Sequence, residues 1–132
     1  MTQRFGIDTS ILVRLLTGVP ELEFAHCKQQ LTNLIEGDGA EVFASNQVIG
    51  EAYVAVRHHY GVSKADCRSG LAAVLRSGLV APLGGDATLA ALDQTGGAGL
   101  LDRLIAADYA GAGLDVLTLD RKMAGLPDAR LL

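Results

Sequence analysis

The sequence predicts an α/β fold with a largely parallel sheet. Short apolar runs alternate with longer stretches of helical periodicity. Two of those runs, Phe5-Gly6-Ile7 and Val116-Leu117-Thr118-Leu119, stop on an acid, Asp8 and Asp120. In open α/β sheets, ligands sit just outside the carboxyl ends of the strands, so if both strands are central the two acids emerge at the same rim.

Each element follows from local chemistry. The first strand covers about Arg4 to Asp8, and a helix starts near Ser10 with Thr9 or Ser10 as its cap. That helix ends near Thr17-Gly18. Pro20 suits the first turn of a second helix running through Leu34-Ile35, which Gly37-Asp38-Gly39 stops. Glu41 to Ala44 is a second strand. Ser45 or Asn46 caps a third helix that reaches Tyr60 and ends at Gly61. Ser63 caps a fourth, ending at Gly78. Leu79 to Leu83 forms a third strand, placed at an edge by Pro82. Asp86 opens a short helix that stops before Gly96-Gly97, and another spans Leu100 to Ala110. Asp115 to Asp120 is a strand, a short helical turn follows, and Arg130 to Leu132 adds an edge strand.

The totals set bounds. One domain over residues 1–132 is expected, long enough to bury roughly two thirds of the surface its unfolded chain exposes. Apolar residues make up 49% and aromatics 5% with no Trp, so the core falls to Leu, Val, Ile and Ala, and base-stacking platforms are scarce. A net charge of −4 excludes a broad phosphate-neutralising surface. It leaves room for a nucleic acid held at one small site where metal ions supply the positive charge. Cys27 and Cys67 form no CxxC pattern and read as free thiols acting as small apolar side chains. Neither a signal-peptide core after Met1 nor an apolar run near the ~20 residues of a membrane span is present, so the expectation is a cytoplasmic protein without a membrane partner.

Two further acids stand inside apolar helical patterns. Glu51 shares its helix face with Val48, Val54 and Ala55. Burying it ionised would be costly unless it is paired or bound to a cation. Alternatively, that face meets solvent while Ile49, Ala52, Tyr53 and Val56 form the core. Asp102 lies in a first helical turn among Leu100, Leu101, Leu104 and Ile105, where it could also serve the helix dipole. Asp108 points about 120° away from Asp102 and is left outside the site. Converging Asp8, Glu51, Asp102 and Asp120 would raise one another's pKa values unless a hard divalent cation neutralised them. Oxygen-only ligands suit Mg²⁺, with Mn²⁺ as substitute, rather than zinc. His58 and His59 fit no zinc motif and read as a solvated helix end.

The stretches FGIDTSILVRLLTG, QVIGEAYVAVRHHYG, LLDRLIAADYAGAG and VLTLDRKMAGLPDARLL resemble, in order, the motifs of PIN-domain ribonucleases, most of all the toxins of VapBC-type toxin–antitoxin pairs. The resemblance implies a three-layer α/β/α sandwich. It implies an Mg²⁺-dependent endoribonuclease with Asp8, Glu51, Asp102 and Asp120 as catalytic metal-binding acids. Thr9, Ser10 and Thr118 match supporting hydroxyls, although many relatives carry Asn where Ser10 stands. Arg103 stands where relatives often carry a small residue, and a charge there would alter substrate or inhibitor contacts. A metal-bound water as nucleophile would leave 5′-phosphate ends. The implied partners are RNA, a cognate antitoxin and a second copy in a homodimer. Arg14, Arg57, Arg121 and Lys122 are the scattered cations available to RNA. A phosphatase of the haloacid-dehalogenase type needs an acid where Ser10 stands, and a response-regulator receiver needs one at Ser45. An inert interaction module of the same fold is the non-enzymatic alternative.

Overall fold

The structure, a computed structural model, describes residues 2–132. Strand β1 (Arg4–Gly6) leads into α1 (Thr9–Thr17) and α2 (Glu21–Thr32), whose end runs into a π turn at Asn33–Gly37. Then come β2 (Glu41–Ala44), α3 (Asn46–Tyr60), α4 (Lys64–Leu75), β3 (Ala81–Pro82), α5 (Asp86–Asp93) and α6 (Leu100–Gly111). Strand β4 (Val116–Thr118), a 3₁₀ turn at Met123–Gly125 and β5 (Ala129–Leu131) close the chain. The fold is α/β, and every strand pair is parallel. Among the described residues, no helix is long and apolar enough to cross a membrane.

Local chemistry sets the boundaries. The Ser45 hydroxyl accepts the Val48 amide at 3.2 Å to cap α3, and Ser63 caps α4 through Asp66 N at 3.1 Å. Gly61 closes α3 in the left-handed region, φ 63°, where a Cβ would be strained. Two caps differ from the sequence reading. Asp8, not Thr9 or Ser10, caps α1, with its carboxylate accepting the Ile11 amide. Asp serves as well as Ser there, and this leaves the Thr9 hydroxyl free to act elsewhere. Pro20 takes the cap position of α2 in extended geometry rather than its first turn.

The sheet departs further. Strand β2 is central, pairing β1 (Phe5 opposite Val42) and β3 (Phe43 opposite Ala81). Strand β4 pairs only with β5, so the order is β1-β2-β3 beside a separate β4-β5. The strands leading to Asp8 and Asp120 therefore lie in different sheets, and the condition for a shared rim is not met. Residues 119–128, with the 3₁₀ turn among them, carry the chain back so that β5 runs parallel to β4. Leu117 stays 56% exposed and Leu119 83% exposed.

The core lies between the three-stranded sheet and its helices, with Leu12, Ile49, Val56, Leu71, Val80 and Leu100 fully buried. Helix α3 packs on α1, α4 and α6. Its Gly50 admits α6 closely, since a Cβ there would meet Leu101 Cδ2 at 2.9 Å. Cys67 is buried, Cys27 is half-buried and both are free, as the sequence suggested. Burial raises both thiol pKa values, which favours the protonated form.

Leu71 is fully buried, so Leu71→Ala is expected to lose about 2–5 kcal/mol of unfolding free energy. Loss of the Ser45 cap in Ser45→Ala should lose about 1 kcal/mol. Urea titration measures both, and equal losses would contradict the placement of Leu71 in the core.

Candidate functional site

Strand β1 delivers Asp8 to the start of α1, fully in solvent. Its Oδ1 accepts the Ser10 hydroxyl at 2.6 Å and the Ile11 amide at 3.3 Å. The Ser10 bond, then the backbone amide, hold the Asp8 pKa below the ordinary carboxylate value. This acid is thus kept ionised. One residue on, the Thr9 hydroxyl donates to Glu51 Oε2 at 2.6 Å. That bond crosses from α1 to α3 and sets the second acid against the residue that follows the first. Gln47, one turn before, reaches Glu51 Oε1 at 3.4 Å.

The environment of Glu51 corrects the apolar-face reading. Glu51 is exposed and Val54 is 39% exposed, while Ile49, Ala52, Tyr53 and Val56 are buried. A helix that is apolar nearly all round does not declare its inner face. The side carrying Ile49, Ala52, Tyr53 and Val56 is the one that meets the rest of the fold.

Asp102 is half-buried in the first turn of α6, next to the Leu101 that packs on Gly50. Asp120 is exposed beyond β4. Its Oδ1 accepts the Lys122 amide at 2.7 Å and the Met123 amide at 3.0 Å, while its own amide donates to the Thr118 hydroxyl at 3.0 Å. The turn therefore fixes the backbone at Asp120, with Thr118 accepting its amide. Two separate side-chain bonds, Ser10 to Asp8 and Thr9 to Glu51, thus stand at the start of α1. Asp120 belongs to the separate β4-β5 unit.

Among the described residues, no group of three or more His, Cys, Asp or Glu side chains stands ready to hold a metal ion. The carboxylates are the oxygen donors that Mg²⁺ or Mn²⁺ takes. As arranged, however, they do not form a cage for such an ion.

Sequence reasoning missed Asp108 and Asn46. A cleft of about 630 Å³ between α3 and α6 is bordered by Glu51, Val54, Leu101, Ile105 and Asp108. Asn46, buried at the start of α3, donates to Asp108 Oδ1 at 2.8 Å and accepts the Thr88 hydroxyl at 2.6 Å. The 120° rotation that set Asp108 apart from Asp102 turns it toward the cleft that Glu51 borders. Rotation relative to α3, rather than to Asp102, was the signal to follow.

The cations divide. Arg121 and Lys122 are exposed beside Asp120, whereas Arg57 is half-buried with its guanidinium 5.5 Å from the Tyr53 ring centroid. Arg57 thus leans on a ring one turn earlier in its own helix. Arg103 turns inward, onto the loop ahead of α6. His58 and His59 sit exposed in the last turn of α3, as expected.

No protein-family model, characterised protein or solved structure matches this sequence.

The Ser10 bond gives a titration test. Because the folded-state pKa of Asp8 is lowered, its share of stability is full above the ordinary carboxylate value. That share is lost as pH falls through the lowered value. Ser10→Ala should raise the Asp8 pKa toward its ordinary value and flatten stability on the acid side. Carboxyl-carbon NMR reads the pKa directly, and an unchanged midpoint would show that Ser10 does not hold the charge.

Proposed function

We propose that the chain is a divalent-metal-dependent endoribonuclease of the PIN type, acting as the toxin of a type II toxin–antitoxin pair. The observation that carries the reading is the Thr9–Glu51 bond, which couples the first motif to the second across 42 residues of sequence. The α/β architecture is compatible with it, and the three-layer α/β/α arrangement belongs to the same proposal. So do action in the cytoplasm, a homodimer and a cognate antitoxin.

In this reading each side chain has a task. Asp8, kept ionised by Ser10, and Glu51, held by Thr9, form the fixed half of an acidic centre. Asp102 and Asp120 supply the other half, with Thr118 fixing the backbone at Asp120. A hard cation, when bound, would offset the repulsion of carboxylates drawn toward it and neutralise charge on a phosphodiester. Arg121 and Lys122, exposed beside Asp120, are placed to attract the RNA backbone. An acidic protein with such a centre suits a basic inhibitor segment.

A second reading, an inert interaction module, is favoured by one observation, the lack of a three-acid cluster among the described residues. Calorimetry with Mn²⁺ separates the two, since a module would bind none.

The direct test is cleavage of total RNA by the purified protein with Mg²⁺, followed by end mapping. Asp8→Asn and Asp120→Asn should each abolish cleavage while leaving the melting temperature little changed. Asn retains the acceptor oxygen that caps each turn. Undiminished cleavage by either variant would remove that residue from the site.

A further inference from the structure

Helix α6 starts without help. Its cap, Gly99, offers no side chain to the free amides of the first turn. The connection before it, residues 94–99, contains Gly96 at φ 77° and Gly97 at φ 64°, left-handed conformations that glycine reaches without strain. Such a segment has much conformational freedom to lose on folding, and something must hold it.

Arg103 does. Its Nε donates to Ala98 O at 2.9 Å, one terminal nitrogen donates to Gln94 Oε1 at 2.9 Å, and the other to Gly96 O at 2.8 Å. The rigid fork of a guanidinium is what can reach three acceptors on one loop at once. From the other side, Arg68 of α4 donates to Ala91 O at 2.7 Å, Leu92 O at 3.1 Å and Gln94 O. Gln94 is gripped twice, by its carbonyl to Arg68 and by its side chain to Arg103. Asp102 occupies the turn that this grip fixes, one residue before Arg103.

We infer that Arg103 is a positioning residue: by clamping the loop of residues 94–99 it sets the first turn of α6, and with it the direction of the Asp102 carboxylate. The link to catalysis rests on the ribonuclease reading, in which Asp102 belongs to the acidic centre. The clamp itself does not.

The experiment compares wild type, Arg103→Ala, Arg103→Lys and Gln94→Ala. Hydrogen exchange is measured by mass spectrometry and RNA cleavage under initial-rate conditions. Gln94→Ala removes one acceptor and leaves Arg103 in place, so it reports even if Arg103→Ala fails to fold. Losing these bonds should speed exchange of peptides across residues 94–104 about tenfold, with peptides of α3 unchanged. Lys, with no fork, should restore only part of the protection. Displacing Asp102 should lower kcat about tenfold or more while KM holds.

Unchanged exchange in both the Ala variants, or full restoration by Lys, overturns the clamp. Faster exchange with full kcat in an active preparation overturns the positioning of Asp102. A raised KM at constant kcat would make Arg103 a substrate contact instead. Wild type without cleavage would count against the ribonuclease reading alone, and the exchange arm would still decide the clamp.

Discussion

Helix α3 must satisfy three neighbours at once, and that constraint organises the molecule. It packs on α1, α4 and α6, burying Ile49, Ala52, Tyr53 and Val56, and it opens at Gly50 to let Leu101 of α6 approach. A glycine in mid-helix costs roughly 1 kcal/mol of helix propensity, which is offset here by close contact between helices. Once those faces are committed, Glu51 has only the rim left. There the Thr9 hydroxyl catches it. A side chain that the core could not accommodate thus becomes the link between α1 and α3.

Much of the fold was legible because helix ends carry their own chemistry. Ser45, Gly61 and Ser63 mark boundaries that the structure keeps, since a hydroxyl or a left-handed glycine answers a purely local need. Asp8 shows where that logic is ambiguous. Asp, Thr and Ser in a row are all competent caps, and sequence does not say which hydroxyl has business elsewhere. The face of α3 was hidden for a related reason. With Val48, Ile49, Val54 and Val56 distributed around the helix, periodicity names no inner side, and only tertiary packing does.

Strand partnership was the least readable feature. Alternation identifies β4 as a strand but not its neighbour, because pairing across the chain leaves no mark in local pattern. The β4-β5 unit accordingly stands apart, with Leu117 and Leu119 exposed, and Asp120 travels with it. The polar ties of α6 were equally invisible. Sequence set Asp108 outside the site and tied Arg103 to substrate or inhibitor contacts, yet each meets a partner supplied by another segment, the buried Asn46 and the loop before α6. Arginine on carbonyls and an amide on a carboxylate are contacts that composition cannot announce.

The central claim is that Asp8, Glu51, Asp102 and Asp120 serve one cation-binding centre. Paramagnetic broadening by Mn²⁺ in an amide NMR spectrum tests it without reference to any substrate. The account predicts that traces of Mn²⁺ erase signals around all four residues together, and that Asp8→Asn prevents it. Broadening confined to one segment, or spread evenly over the acidic surface, would contradict the account.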